Sequence, residues 1–451
     1  MTPSVIPSSA LPDGTPHVPV AIVGAGACGL VTALSLRNAG IDCVLLERDA
    51  RPTGSTALSS GFIPACGTRM QRAAGVTDSE DLFAQDIRTK THDTAAPHLV
   101  QAYTRAVGPA IDMLADRHGL VFHVLDGFLY PGHSVRRMHA VPEMTGAALV
   151  AQLERAAQAA GADIVTQATV RSLWVDAAQR VAGLSFERPD GTLEHLRCDT
   201  LVLACNGFGG NTAMVRELLP EMRDAPFAGH TGNDGSAIAW GRALGARLAD
   251  LGGYQGHGSW ATPHGSLISW AIMMEGAIQL NTRGERFHDE TGGYSEAAVK
   301  VLAQPGGVAW DILDAPLLAL ARTFPDFRDA EAAGAIKTCA DAVALAALIG
   351  ADASTVARSC ATAPKRPLQA PFHAVKVTGA LFHTQGGLDI DASCRVLRQD
   401  GTAFPNLLAA GGAARGVSGN AVWGYLSGNG LLSAVAGGAI AARTALGLLR
   451  P

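Results

Sequence analysis

The chain has 451 residues, 48% of them hydrophobic and 17% charged, with a formal net charge of −5. This composition excludes a disordered or fibrous protein, and the lack of a basic excess argues against nucleic acid or a membrane surface as partner. A chain of this length usually exceeds one compact core, so we expect a large domain with a smaller inserted one. Eight cysteines without CxxC spacing and a polar N-terminal tail, 1–17, without signal-peptide order predict a cytoplasmic protein with reduced thiols.

The first elements along the chain predict a nucleotide-binding unit. An apolar strand over 18–23 runs into Gly24, Gly26 and Gly29, a helix continues to Asn38, and a second strand ends before Glu47. The glycines permit a tight turn, close approach of a pyrophosphate and close helix packing, and Glu47 lies where a carboxylate accepts hydrogen bonds from an adenosine ribose. Because NAD and FAD sites share this pattern, it does not choose between them.

The later elements predict an α/β fold with an interruption. A helix over 145–160, strands over 163–175 and 180–187, a hairpin at Asp190-Gly191 and a buried strand over 200–204 continue the nucleotide-type pattern. From 256 to 366 the sequence becomes aromatic and helical, which indicates an inserted domain. Strands over 374–379 and 387–391, a segment over 406–412 and a helix over 430–449 close the chain; Arg443 interrupts that last apolar stretch, which favours a core helix.

Further motifs resemble the flavoprotein subunits of the fumarate reductase and succinate dehydrogenase superfamily. They occur in that family's order and are the segments 53–61 (TGSTALSSG), 231–235 (TGNDG), 281–290 (NTRGERFHDE), 383–387 (HTQGG) and 411–431. The resemblance implies an FAD-dependent oxidoreductase acting on CH–CH groups. It also implies a Rossmann-like FAD-binding domain, 1–255 and 367–451, interrupted by an α+β substrate-capping domain over 256–366.

The resemblance and the glycine pattern together imply a set of cofactor-binding residues. Relatives with covalent flavin carry a histidine within the segment matching 54–61, and none occurs here, so we expect non-covalent FAD. Many relatives have a glutamate where this chain has Gly412, which departs from the pattern. The predicted cofactor-binding residues are Gly24, Gly26, Gly29, Glu47, Arg48, Ser55, Thr56, Ser60, Gly61, Val170, Ala204, Asn206, Gly207, Asp234, Gly411, Gly412, Asn429 and Leu431.

Two tyrosines replace the two arginines that mark fumarate reductases. Tyr294 stands four residues after Glu290, and Tyr425 precedes the closing glycine-rich turn, as in the 3-ketosteroid Δ1-dehydrogenase branch. This pair predicts removal of two hydrogens across a Cα–Cβ bond beside a ketone. Tyr425, with a backbone amide near Asn429 or Gly430, would polarise the ketone oxygen, and Tyr294 would act as acid/base. The expected substrate is a small, cyclic ketone or keto acid, and electrons pass to an external acceptor.

Other polar residues support alternatives. His383 matches a substrate-binding histidine of fumarate reductases, although it could equally satisfy loop backbone. With Arg415 it suits a carboxylate-directed fumarate, urocanate or tricarballylate type of enzyme, the alternative function. Arg286 is interpreted as structural, and Arg136 and Arg137 as a solvated basic turn. No metal is expected. A flavin-binding module without turnover is a third hypothesis, which the retained cap and tyrosine pair disfavour.

Overall fold

The computed structural model describes residues 3–127 and 129–450. The helices in this part of the chain are α1 Ala27–Asn38, α2 Arg69–Ala73, α3 Glu80–Lys90, α4 Pro97–His118, α5 Gly146–Ala159, α6 Thr212–Leu218, α7 Ser236–Leu244, α8 Ala271–Met274, α9 Tyr294–Leu302, α10 Ala315–Ala321, α11 Pro325–Ala332, α12 Ala342–Ile349, α13 Ala353–Ala361 and α14 Asn429–Leu449. Short 3-10 helices cover Ser8–Ala10, Pro220–Met222, Pro305–Gly307, Gly411–Ala413 and Val422–Gly424.

The strands lie between these helices and form four sheets. They are β1 Ser4–Pro7, β2 His17–Val23, β3 Cys43–Leu46, β4 Ile63–Pro64, β5 His123–Val124, β6 Met138–Ala140, β7 Asp163–Val165, β8 Thr169–Val175, β9 Val181–Glu187, β10 Leu193–Leu203, β11 Leu248–Ala249, β12 Tyr254–Ala261, β13 Ser266–Leu267, β14 Ile278–Leu280, β15 Val308–Leu313, β16 Ile336–Cys339, β17 Phe372–Thr384, β18 Gly387–Leu388, β19 Arg395–Leu397 and β20 Ala403–Ala409.

The largest sheet has nine strands in the order β1-β8-β9-β10-β2-β3-β7, with β20 beside β10 and β19 beside β20. Strands β20, β10, β2, β3 and β7 run parallel. Buried parallel strands read as continuous apolar runs, and β2 and β3 follow that rule. The predicted α/β class is confirmed. The N-terminal tail contains a strand that the sequence did not indicate, because β1 pairs with β8 only through residues more than 160 positions away.

Helices α1 and α14 pack closely in the core of this unit. Nine of the twelve residues of α1 are buried, and Thr32 Oγ1 donates to the Gly438 carbonyl at 3.2 Å. A side chain at Gly438 would approach the Cys28 carbonyl oxygen to 2.6 Å, so glycine permits the contact. α14 is the one helix in the described chain long and apolar enough to cross a membrane; its apolar window is 61% buried within the protein, as in a core helix.

The chain divides into two compact units. The first unit comprises Met1–Leu218, Gly229–Tyr254 and His383–Pro451, and the second comprises Leu219–Ala228 and Gln255–Phe382. The second unit contains a six-stranded sheet, β13-β12-β17-β15-β14 with β16 beside β17. Its segment 256–366 contains both strands and helices, in agreement with the predicted α+β character. The unit extends to Phe382 because β17 is one continuous strand, which pairs with β15 over 373–378 and with β16 over 372–375.

Candidate flavin and substrate site

The predicted nucleotide site lies at one edge of the nine-stranded sheet. Parallel strands β3, β2, β10 and β20 are successive neighbours, so their carboxyl ends meet at the same edge. Glu47, Gly24 and Ala204 directly follow β3, β2 and β10, respectively, and Gly411 stands two positions after the end of β20. Ligands of open α/β sheets bind at this edge, beyond the carboxyl ends of the strands.

The three glycines of the first turn serve different contacts. Gly24 has φ +103°, and a Cβ there would lie 2.6 Å from the Ala204 carbonyl oxygen. A Cβ on Gly29 would overlap the Gly24 carbonyl oxygen, so this glycine permits α1 to pack on its own turn. At Gly26, by contrast, a Cβ would meet only Thr56 Oγ1, at 3.6 Å. The protein therefore tolerates a methyl group at Gly26, where close approach of a pyrophosphate is predicted.

Glu47 is held by the backbone of the turn. Its carboxylate accepts hydrogen bonds from the amides of Ala25, at 2.9 Å, and Asp49, at 3.0 Å. Burial raises the pKa of Glu47, while these two amides oppose that shift. Ala168 donates to the Glu47 carbonyl at 2.8 Å, which brings the start of β8, and with it Val170, close to this position.

The segment after β3 is fixed on the same edge. The Ala27 amide of α1 donates to Thr56 Oγ1 at 3.2 Å. Ser55 Oγ accepts from Nδ2 of Asn206 at 2.9 Å and from Nδ2 of Asn233 at 2.8 Å. Asn233 is part of this cluster although it is absent from the residues predicted above, where only its neighbour Asp234 was chosen from the TGNDG segment.

Ser60 and Gly61 lie where this segment packs against α5. The Gly146 amide donates to the Ser59 carbonyl at 2.7 Å, and Gly61 has φ +72° with backbone atoms of 145–146 at 2.9 Å from a Cβ position. A side chain at Gly61 would therefore displace the start of α5.

The side chains of Arg48 and Asp234 form an ion pair. Arg48 donates to the Gly232 carbonyl and to Asp234 Oδ2, the latter at 3.2 Å. Asp234 Oδ1 accepts from the amide and hydroxyl of Ser236. Both predicted residues thus brace the 231–235 segment, and a direct cofactor contact stays a prediction for each.

Gly412 is in close contact with the side chains of Asn206 and His383. A Cβ there would overlap Asn206 Oδ1 and lie 2.9 Å from His383 Nε2. Asn206 has φ +65° and Oδ1 accepts from the Gly207 amide at 2.9 Å. A glutamate at position 412 therefore has no room in this protein, and the side chains of Asn206 and His383 take the space beside the turn.

The His383 imidazole is uncharged at neutral pH, since its pKa lies well below 7. Part of its surface is accessible, yet desolvation by its surroundings lowers the pKa of His383 to about 4. Its Nδ1 lies 2.7 Å from Gln385 Nε2. The ring is next to the N-terminus of α14, since a Cβ on Gly430 would lie 3.8 Å from His383 Nδ1.

The closing turn places Tyr425, Asn429 and Leu431 in sequence before and within α14. Tyr425 is 5% exposed and follows the 3-10 helix Val422–Gly424, and Leu431 packs on the core. The Asn429 amide donates to the Leu426 carbonyl at 3.0 Å, so Gly430 is the better of the two predicted backbone donors.

These residues fit FAD. Oδ1 of the fully buried Asn429 has no hydrogen-bond partner among the described residues. A buried acceptor without a partner is costly unless a ligand satisfies it. Together with the Gly24–Gly29 turn, Glu47 and the Ser55 cluster, this acceptor is consistent with a flavin nucleotide along the sheet edge.

Tyr294 begins α9 in the second unit and lies in an aromatic cluster. Its ring stacks on His257, which also meets Trp270 edge-on at 5.8 Å and Phe382 at 5.5 Å. Burial lowers the pKa of His257 to about 3, so the imidazole beside Tyr294 is neutral. The sequence did not assign His257 to Tyr294; the two are 37 positions apart and their stacking depends on β12 and α9 packing together.

Arg415, the candidate carboxylate binder, and Arg286, interpreted as structural, are both already paired with carboxylates. Arg415 is held by Asp250, at 2.8 Å, and Asp389, at 3.1 Å. Arg286 donates to both oxygens of the fully buried Glu290 within the second unit, which agrees with a structural role.

The interpretation of Arg137 as a solvated basic residue is wrong. Its side chain is fully buried and pairs with Asp78, at 2.8 Å, and with Asp86. The Arg137 side chain also contacts Nδ1 of His133. The other ring nitrogen of His133, Nε2, lies 2.9 Å from the Ser427 carbonyl oxygen. The local sequence Val-Arg-Arg-Met-His gives no sign of this, because both aspartates are supplied by the segment at α3.

Tyr130 is a residue near the candidate site that the sequence did not single out. Burial, followed by the nearby Tyr425 phenol, raises the pKa of Tyr130 above its usual value. The segment that carries it packs on the closing turn, since a Cβ on Gly132 would meet Leu426 at 2.8 Å. Tyr425 therefore has a second, protonated phenol as neighbour in the first unit.

The sheet-edge site and the second unit define a flavoprotein oxidoreductase with a capping domain. The chain belongs to the FAD_binding_2 family, described as an FAD binding domain, which matches residues 19–431. The predicted cofactor, FAD, and the predicted class, an FAD-dependent oxidoreductase, are thereby confirmed.

Relatives and solved structures are consistent with this assignment. The chain is 27% identical to the NADH:fumarate oxidoreductase of Klebsiella pneumoniae over 89% of its length and 45% of that protein. It is 27% identical to a probable fumarate reductase, Ifc3, of Shewanella frigidimarina over 94% of its length and 74% of that protein. It therefore spans less than half of the first relative.

Structural likeness extends over almost the whole chain. A flavocytochrome c3 fumarate reductase in its open conformation matches with a TM-score of 0.83 and 25% identity, over 98% of this chain and 80% of that one. A 3-ketosteroid-Δ4-(5α)-dehydrogenase from Rhodococcus jostii matches with a TM-score of 0.78 and 22% identity, over 99% of both chains. The second likeness concerns the fold alone.

Proposed function

We propose that the protein is an FAD-dependent dehydrogenase that forms a double bond between Cα and Cβ beside the ketone carbonyl of a small cyclic substrate. The observation that carries this proposal is that Arg415, the candidate carboxylate-binding cation, is already paired with two aspartates. Arg415 is neutralised by Asp250 and Asp389, whereas His383 and Tyr425 offer uncharged donors. A ketone oxygen is matched by neutral donors, and a carboxylate requires a cation to offset its desolvation.

In the proposed reaction the α-proton and the β-hydrogen leave the substrate in different forms. The Tyr425 hydroxyl, with the Gly430 amide, donates to the ketone oxygen and stabilises the enolate charge that develops when the α-proton leaves. Tyr294 keeps the acid/base role: it takes up that proton as its ionised phenolate and becomes the neutral phenol. FAD supplies the acceptor for the hydride that departs from Cβ with both bonding electrons.

Asn206, Ser55, Glu47 and the Gly24–Gly29 turn would hold the cofactor in this scheme, with Asn429 Oδ1 as an additional acceptor. The external electron acceptor that reoxidises the flavin, the absence of nucleic acid and membrane partners, and the cytoplasmic location remain predictions from the sequence.

A pair of matched ligands tests the ketone against the carboxylate. The protein with oxidised FAD is mixed anaerobically with cyclohexanone or with cyclohexanecarboxylate, and then with larger cyclic ketones and with succinate and tricarballylate. Ketones should bleach the flavin absorbance and the acids should leave it unchanged. Bleaching by the acids alone would overturn the proposal in favour of the carboxylate-directed alternative. That alternative gains support from the fumarate and urocanate reductases among the relatives.

A further inference from the structure

A chain of hydrogen bonds runs from the start of α14 to His383. Asn429 Nδ2 donates to Ser418 Oγ at 3.0 Å, and Ser418 Oγ donates to Gln385 Oε1 at 3.0 Å. The other end of the Gln385 amide, Nε2, lies 2.7 Å from His383 Nδ1. The side chains of Asn429, Ser418 and Gln385 are at most 3% exposed, so water does not compete for these bonds.

The direction of this chain fixes the histidine tautomer. The Ser418 hydroxyl has a single proton, which it gives to Gln385 Oε1. Gln385 must then present its NH₂ group to His383, and Nδ1 must accept. A neutral imidazole carries one proton, so that proton resides on Nε2. Nε2 is the atom that lies beside the Gly412 turn.

We propose that Gln385 and Ser418 are positioning residues that hold His383 as a neutral Nε2–H donor, and so select a substrate with an uncharged carbonyl acceptor. This inference rests on the proposed function. Arg415 is not available to bind a carboxylate, because Asp250 and Asp389 balance its charge together with that of Arg247. No positive charge is then available on His383 for a carboxylate either.

The arrangement also explains why glutamine stands at position 385. A glutamate there could only accept at both oxygens when ionised, and it would draw the imidazole proton to Nδ1. A methionine of similar size has neither an N–H donor nor a carboxylate acceptor for Nδ1, so both His383 tautomers would be populated. The residue between His383-Thr384 and Gly386-Gly387 therefore determines which imidazole nitrogen donates.

The tautomer can be measured without substrate. In protein labelled with ¹⁵N-histidine, the His383 imidazole signals are assigned by their loss in His383→Gln. Wild-type His383 should show the Nε2–H tautomer at neutral pH. Gln385→Glu should convert it to Nδ1–H, and Gln385→Met should give a mixture. Protonation of wild-type His383 on Nδ1, or an unchanged tautomer in folded Gln385→Glu, would overturn the proposal.

Turnover of the ketone that bleaches the flavin gives an independent measurement. Gln385→Glu should lower kcat/KM for that ketone by about tenfold to a hundredfold, and Gln385→Met by less, with the melting temperature of each close to that of the wild type. Ser418→Ala serves if the glutamate variant fails to fold, since it removes the donor that orients Gln385 and should give the mixed tautomer. If no ketone reacts while the tautomer follows these expectations, the proposed function fails and the hydrogen-bond assignment stands.

Discussion

The rings of His257 and Tyr294 stack in the second unit, with centroids 4.9 Å and planes 27° apart. Tyr294→Phe keeps this stacking and removes only the hydroxyl. We expect kcat to fall by about a hundredfold or more, since positioned general acid–base groups contribute factors of that order. Stopped-flow measurement of flavin reduction would detect the change. Tyr103→Phe is the matched control, because it also removes a buried hydroxyl, one that has no partner among the described residues.

Tyr425 tests the second half of the proposed chemistry. Tyr425→Phe should lower kcat by about a hundredfold, as removal of one donor to a developing oxyanion does in other enzymes. FAD content and melting temperature should stay near those of the wild type, because the ring is retained. A rate within about twofold of the wild type would remove Tyr425 from the reaction.

Substitutions at Gly26 and Gly29 should distinguish an effect on FAD binding from an effect on helix packing. Gly29→Ala should destabilise the protein even without FAD, because its Cβ would overlap the Gly24 carbonyl oxygen. Gly26→Ala should leave the FAD-free protein folded and weaken FAD binding. Melting curves with and without FAD, together with fluorescence titration of FAD, distinguish the two. Equal loss of stability in both FAD-free variants would contradict this division. Acid precipitation of the wild type should release all of the FAD.

Arg137 carries a buried charge whose removal should be severe. Arg137→Met leaves the buried carboxylates of Asp78 and Asp86 without their cation, and breaking such a pair costs about 3–5 kcal/mol. We expect the melting temperature to fall by several degrees. The triple variant Arg137→Met, Asp78→Asn, Asp86→Asn should recover much of that loss, since no uncompensated charge is left. A triple variant as unstable as the single one would show that packing, and not charge, is responsible.

Asp311 makes the stability of the second unit depend on pH. Burial raises the pKa of Asp311 from 3.8 to about 7. The folded protein then binds one more proton than the unfolded chain between these values, so stability decreases as the pH rises from about 4 to about 7. Asp311→Asn should raise the melting temperature at pH 8 and have little effect at pH 4. A gain of equal size at both pH values would indicate a cause other than ionisation.

The sequence by itself was sufficient to predict the elements that form the nucleotide site at the edge of the large sheet. The strand, glycine turn, helix and second strand around Gly24 and Glu47 are neighbours along the chain, so local periodicity and turn chemistry were sufficient to predict them. The order of the later motifs similarly indicated the flavoprotein family. These features are short-range patterns that a single sequence displays directly.

Only the tertiary structure decided which polar groups are already satisfied. Arg415 meets Asp250 across 165 positions, Arg137 meets Asp78 across 59, and Ser418 reaches Gln385 across 33. The sequence presents Arg415 as a candidate cation, Arg137 as a solvated basic residue and Gln385 only as part of the HTQGG motif. Whether a side chain is free to bind substrate depends on partners that the fold brings together, and no local pattern encodes those distances.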